Sequence, residues 1–418
     1  MLPRAKQYLT INPVSVAGVL VILLVFAMMV STAATVIMEV LLLLCVIGFR
    51  ELRRKTFATL KQPMVVMALV LYFMITLGII YSVAPLPESV DSWARWRKLF
   101  LVPVVAAVYT DPLWKQRFIS FFICLSALAA LLSCGGFLLG MGTKYGPGIL
   151  VQNWATQGML FSVALFACLV LLRFPLSSVF VNTPFLIISA AVLSLNIVLI
   201  THGRSGYLTL IVLIMAFIFF GAPKKTKLLF MLPAPVLIVS LLLISPVAHD
   251  RVFDGIDELK TYEQAPMPTN MGYRVIAWKN TITLLKRCEH PFFGYGTGGF
   301  ETAYAGLMNE KQIEGKRRWQ DEPIHDPHNQ YLIILVDYGL AGLGLFLLFI
   351  GAFFIQPINR PYYLLGIGVV LAWCATSLFN GHFGTAIEGR FLLVWCSAML
   401  SADRGLRMKV MEETVDTV

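Results

Sequence analysis

Long uninterrupted apolar runs dominate this chain and leave it few ways to fold. Ten are clear: Val14–Val30, Ala33–Phe49, Met64–Val83, Phe118–Met141, Thr156–Leu172, Pro184–Ile200, Tyr207–Gly221, Leu228–Ile244, Tyr331–Ile355 and Tyr362–Phe379. Two weaker runs, Leu99–Tyr109 and Phe391–Ser401, bring the count to twelve. A bilayer core about 30 Å thick takes roughly 20 helical residues, so runs of this length read as transmembrane helices. Of 418 residues 58% are hydrophobic and 13% charged, with a mean hydropathy of +0.77. A soluble core of this size cannot hide that much apolar surface. A closed β-barrel also satisfies its backbone inside lipid, but its segments alternate over about ten residues and are not continuous. The expectation is an all-α polytopic membrane protein with about 12 transmembrane helices.

One long polar stretch, Val247–Pro327, separates the ninth run from the tenth. The chain therefore divides into helices 1–9 (residues 1–246), a large, partly helical loop (247–327), and helices 10–12 with a tail (328–418), all within one integrated membrane domain. No internal repeat or low-complexity tract is visible. If the N-terminus is cytoplasmic, seventeen Lys and Arg residues fall inside, among them Arg50, Arg53, Arg54, Lys55 and Lys61. Short outer loops then hold only Arg95, Arg97, Lys98, Lys144, Arg204 and Arg390. This bias puts both termini in the cytoplasm and the long loop on the external, periplasmic side. It also accounts for the net charge of +10 without invoking nucleic acid. The first run is long and a second follows almost at once, so it reads as a retained helix and not a cleaved signal.

With this topology all six histidines lie on the external side, where an imidazole can handle protons near neutral pH. For His249, His290 and His382 the plain reading, a histidine tolerated in a polar loop, is preferred. Of the cysteines only Cys288 lies in the long loop, and the chain has no CxxC pair or metal-ligand spacing. Three other residues form a chemical set. Arg204 sits in the corner Thr201-His202-Gly203-Arg204-Ser205-Gly206 between two spans. Arg274 lies on a loop helix expected over Met271–Arg287, capped by Thr269 or Asn270. His328 opens the tenth span, and Gly342 and Gly344 further along suit close helix packing. Arginine suits a diphosphate, because its planar fork donates paired hydrogen bonds at any working pH. Histidine suits a base that takes a proton from a sugar hydroxyl.

Each residue also has a simpler role open to it. Arg204 can snorkel to headgroups, Arg274 can pair with Asp254 or Glu263, and His328 can cap its helix. The glycine-dense stretch His290–Phe300 allows close approach to a ligand, but an ordinary turn looks the same. Arg95, Arg97 and Lys98, set among Trp93 and Trp96, are secondary candidates for attracting a phosphorylated substrate, and for the tryptophans the plain reading, an interfacial belt, is preferred. Lys316-Arg317-Arg318 is a weaker candidate of the same kind. Asn329, His325 and His202 complete the secondary set. Glu39 and Asp337 fall inside spans and should each face a partner, an ion pair being the expectation for Asp337.

His328-Asn329, nine residues, then Gly339-Leu340-Ala341-Gly342, preceded by Pro291-x-x-Gly294-x-Gly296, resembles the signature of the bacterial O-antigen ligase and polymerase superfamily of integral-membrane glycosyltransferases. By motif the resemblance spans about Arg204 to Phe346, and by layout the whole chain, with its large loop between the ninth and tenth spans, is similar to the O-antigen ligase. The resemblance implies a GT-C-like fold in the bacterial inner membrane with its active site in the periplasm. The implied reaction moves a glycan from undecaprenyl diphosphate to the lipid A-core oligosaccharide, with inversion and with neither metal nor other cofactor. Carried onto this chain, Arg204 and Arg274 would hold the diphosphate and His328 would activate the acceptor hydroxyl. The implied partners are the lipid-linked donor, the lipid A-core acceptor and membrane lipids, with no nucleic acid. O-antigen polymerase and protein O-oligosaccharyltransferase belong to the same superfamily. In a different class, a secondary transporter or flippase also fits twelve spans, although the polar groups gather at one face and not at the midplane, where alternating access needs them.

Overall fold

The computed structural model describes residues 12–176, 181–201, 203–223, 246–264, 267–313 and 319–402, with single positions 227, 236 and 240. Among them run sixteen α-helices: α1 Pro13–Val30, α2 Thr32–Gly48, α3 Arg50–Thr59, α4 Pro63–Leu77, α5 Leu86–Arg95, α6 Leu101–Val108, α7 Pro112–Leu138, α8 Trp154–Arg173, α9 Thr183–Leu199, α10 Arg204–Ala216, α11 Pro246–Thr261, α12 Asn270–Lys286, α13 Gly299–Ile313, α14 Gln330–Phe354, α15 Tyr362–Thr376 and α16 Glu388–Leu400. Among the described residues the strands form a short hairpin, Gly142–Thr143 with Gly146–Pro147. The fold is all-α, as expected. Local sequence sets the helix starts: Asn12, Asp111, Asn153 and Asn182 each turn a side-chain oxygen onto a first-turn N–H, and proline follows at the start of α1, α7 and α9.

Among the described residues, five helices are long and apolar enough to cross a membrane: α1, α7, α8, α10 with its π-helical extension Phe217–Gly221, and α14. A sixth results if α2 and α3, bent by 101° at Phe49, are taken together, and α4, α9 and α15 are shorter apolar helices. The expected run Leu228–Ile244 lies outside the described residues. Two expected spans are shorter than their apolar runs for visible reasons. The run from Met64 stops being helical at Leu77, because Gly78 O accepts from Thr297 N–H (3.0 Å) and Val83 N–H donates to Tyr295 O (3.0 Å). The run Leu99–Tyr109 becomes a 3₁₀ turn, Trp96–Phe100, and the eight-residue α6, buried along its whole length.

The long loop folds onto the membrane helices. Its helices α12 and α13 form a small core around Ala277, Leu284, Phe300, Tyr304 and Met308, and this core also takes in Val336 of α14. The glycine-dense stretch has a structural job. At Gly339 (φ +62°, ψ −160°) α14 is broken, and the loop supplies the missing hydrogen bonds. Tyr295 and Gly296 donate to Val336 O (2.9 Å) and Asp337 O (2.7 Å), while Leu340 and Ala341 donate to Pro291 O (3.1 Å) and Phe292 O (3.0 Å). Asp337 Oδ1 accepts the Phe300 N–H at 2.8 Å, so the intramembrane carboxylate is held by backbone donors and not by the ion pair expected for it. Gly342 does lie against Met74 of α4, but Gly344 faces open space and packs nothing closely. Glu39 has the partner it needs: Arg390 Nε donates to its Oε2 at 2.8 Å. Arg390 is therefore a buried helix residue, not an outer-loop cation.

Candidate functional site

The site is built where α10, α12 and the turn before α14 meet. Arg204 is the first residue of α10, and two glycines decide where that end lies. A Cβ on Gly206 would stand 2.9 Å from Gly158 Cα, and one on Gly158 would stand 2.9 Å from Thr201 Cγ2, so α10 and α8 cross with backbones nearly touching. This crossing sets Arg204 beside Trp154 and Ala155 at the start of α8. The guanidinium pairs with Glu258 of α11 at 3.7 Å, so its partner is a loop carboxylate.

Arg274 is placed by its own helix. Thr269 caps α12, as expected, and four residues beyond Arg274 the Trp278 Nε1–H donates to Pro327 O at 2.9 Å. Residues four apart share a helix face, so the bond that ties α12 to the Pro327 turn also brings Arg274 beside it. The side chain is largely buried, and among the described residues its Nε has no hydrogen-bond partner. It pairs with neither Asp254 nor Glu263, the latter being taken by Lys279 at 3.1 Å.

The turn Asp326-Pro327-His328-Asn329 carries the imidazole. Asp326 Oδ1 accepts the His328 backbone N–H at 2.6 Å, and His328 sits at φ +52°, a left-handed conformation that costs a non-glycine residue energy and recurs at functional sites. Asn329, not His328, caps α14: its Oδ1 accepts from Tyr331 N–H (3.0 Å) and Leu332 N–H (3.1 Å), which gives this secondary candidate a structural role. The His328 ring meets Tyr273 of α12 edge to face at 5.5 Å.

Two adjoining cavities connect these residues. Arg204 and Arg274 line one of about 350 Å³. His328 and Asp326 line another of about 220 Å³. Ala155, Ser205, Thr376 and Asn380 belong to both walls, so the imidazole and the two guanidiniums line cavities that adjoin across four shared residues. Burial lowers the His328 pKa; the Asp326 carboxylate opposes that shift and the Arg274 charge adds to it. The ring is therefore neutral and able to accept a proton at neutral pH. Burial raises the Asp326 pKa against the pull of His328, its backbone N–H, Arg274 and Arg95. Burial and the neighbouring Arg204 lower the Arg274 pKa, yet its ordinary value is so far above neutrality that the guanidinium keeps its charge.

The remaining candidates are not in this space. Lys98 is 1% exposed and donates to Phe383 O (2.7 Å) and Thr385 O (2.8 Å), so it cannot attract a substrate from solvent. Arg97 donates to Ala94 O, and Trp96 is buried and stacked on Phe383 at 4.7 Å where an interfacial belt was expected. Arg95, paired with Asp91 at 2.7 Å, and His325, against Glu301 at 3.0 Å, line a separate cavity that also touches Asp337. His202 and Lys316-Arg317-Arg318 lie outside the described residues. Sequence reading missed Asp326, Glu258, Trp278 and Glu388, the last lining the His328 cavity with Thr156 Oγ1–H donating to it at 2.6 Å. Asp326 had a local signal, the Asp-Pro turn two residues before His328. The other three reach the site only through tertiary folding.

No curated protein matches the chain. Residues 189–347, the stretch that holds Arg204, Arg274, His328 and the break at Gly339, match the family model described as O-Antigen ligase. The chain thus carries an O-antigen ligase domain over that stretch, which supports membership of the O-antigen ligase superfamily.

Proposed function

We propose that the chain transfers a glycan from an undecaprenyl diphosphate donor to a hydroxyl of the lipid A-core oligosaccharide, at the periplasmic face of the bacterial inner membrane. The observation that carries this reading is the pair of adjoining cavities, one lined by Arg204 and Arg274 and the other by His328, that share four wall residues. Arg204 and Arg274 hold the diphosphate. As the anomeric C–O bond breaks, negative charge grows on the departing phosphate, and cations already fixed there bind the transition state more tightly than the ground state. His328 Nδ1 or Nε2, neutral at working pH, takes the acceptor proton as the new glycosidic bond forms. Attack from the side opposite the leaving diphosphate inverts the anomeric centre.

The test is reconstitution of the purified protein in detergent with lipid-linked glycan and core acceptor. Product forms without any ion gradient, which a transporter cannot achieve. His328→Ala lowers the turnover rate by about 10²–10⁴-fold, the contribution of a positioned base, with abundance and melting temperature unchanged. Full turnover by that variant would remove His328 from the mechanism. Product made only by joining donor glycans to one another would move the assignment to polymerase.

A further inference from the structure

Another cavity lies at the opposite end of α14. That helix has 25 residues, so its far end is well removed from the His328 turn at its start. There a space of about 270 Å³ is lined by Lys55, Thr59, Lys61, Gln62, Thr110 and Gln356. Three features of this space point to one kind of ligand. Lys55 and Lys61 are exposed cations on its wall, and Lys55 keeps only a 3.8 Å pairing with Glu51. The N-terminus of α4 opens onto it at Pro63, and no side chain caps that helix, so its positive end is free for an anion. Gln356 is 4% exposed; its Nε2 donates to Ala352 O at 2.7 Å and its Oε1 has no partner among the described residues. Gln62 repeats the pattern, donating to Ala402 O at 3.3 Å with Oε1 left unpartnered. Buried acceptors without donors call for a ligand that brings hydroxyls.

The helix that forms one wall identifies the source. α3 turns 101° from α2, presents Arg50, Arg53 and Arg54 to solvent, and leaves Phe57 68% and Leu60 37% exposed. A short basic helix with bare apolar side chains, lying across the end of a span, belongs in the headgroup layer. We propose that this cavity binds the headgroup of an anionic glycerophospholipid, with the phosphodiester between Lys55, Lys61 and the start of α4 and the glycerol hydroxyls donating to the free amide oxygens. The site is separate from the glycosyl-transfer site and does not depend on that reading.

Native mass spectrometry of the intact protein in mild detergent, with added phosphatidylglycerol or phosphatidylcholine, tests this. The wild-type protein retains phosphatidylglycerol. The Lys55→Gln/Lys61→Gln variant holds it at least about tenfold more weakly, the loss of a charge-assisted contact. Arg50→Gln/Arg54→Gln, which removes equal charge from α3 outside the cavity, holds it like the wild type. Gln356→Leu erases the preference for phosphatidylglycerol over phosphatidylmethanol, which has the same charge and no hydroxyls. Equal weakening in both charge variants, or undiminished binding in the lysine variant, overturns the site. Displacement by millimolar glycerol 3-phosphate overturns the lipid as its source.

Discussion

Asp326 controls His328 in two separable ways. Its Oδ1 accepts the His328 N–H and so holds the backbone at φ +52°, and its charge raises the imidazole pKa against the effect of burial. Asp326→Asn keeps an oxygen for the N–H and removes the charge. The imidazole pKa then falls further. Only the neutral ring accepts a proton, so transfer fails as pH drops through that pKa, and the acid limb of the rate profile moves to lower pH in the variant. Rate against pH, measured at saturating donor and acceptor for both proteins, checks this; a limb that stays in place or moves up means that another group controls it. The sequence singles out Arg204, Arg274 and His328 because each combines a chemically suited residue with an unusual position: a cation in a short corner between spans, a cation on a loop helix, and an imidazole at a span start; the structure sets them on adjoining cavities. Lys98 had a similar position and was misread, since no pattern in Trp93-Ala94-Arg95-Trp96-Arg97-Lys98 reveals that its Nζ turns inward to two carbonyls.

The element that matters most is α14, because the turn carrying His328 feeds directly into it. Its break at Gly339 frees backbone groups inside an apolar run, where each unpaired N–H or C=O is costly, and the His290–Phe300 strap pairs with them. The sequence offered both halves of this arrangement, a glycine in the tenth run and a glycine-rich stretch in the loop. Their pairing is a contact across more than forty residues that helical periodicity cannot reveal, so the strap read as a possible ligand loop. Gly339 occupies a backbone region almost reserved for glycine, and a Cβ there would stand 2.4 Å from the Phe292 carbonyl carbon, a backbone atom with little freedom to move. Gly339→Ala should therefore lower stability by at least about 2 kcal/mol, from strain and clash together. Thermal unfolding in detergent reads that loss, and transfer should fall with it because the strap and the His328 turn shift together. A variant that melts like the wild type would show that the break tolerates a side chain.

Among the described residues, several polar side chains inside the apolar bundle pair across helices distant in sequence. The clearest joins α2 to α16: Glu39 and Arg390, 351 residues apart, with side chains 2% and 6% exposed. Composition and run length conveyed the class of the fold, because apolar surface on this scale admits few alternatives, and they also required that Glu39 have a partner. They could not name it, since Arg390 falls at a helix start that looks like any short outer loop. Such a pair is costly to bury and costlier to halve. Glu39→Ala leaves a guanidinium without its counter-charge in a low-dielectric setting and should destabilise the protein by about 3–5 kcal/mol. Replacing both residues with methionine removes the stranded charge along with the pair, so Glu39→Met/Arg390→Met should recover most of that loss or exceed the wild type. Chemical unfolding of the wild type, both single variants and the double variant in one detergent gives the coupling energy. Single losses of no more than about 1 kcal/mol, typical of an exposed pair, would mean that water reaches Arg390 and that the bundle is open there. Losses that simply add in the double variant would mean that the two side chains act independently and that α2 and α16 are held by apolar packing alone.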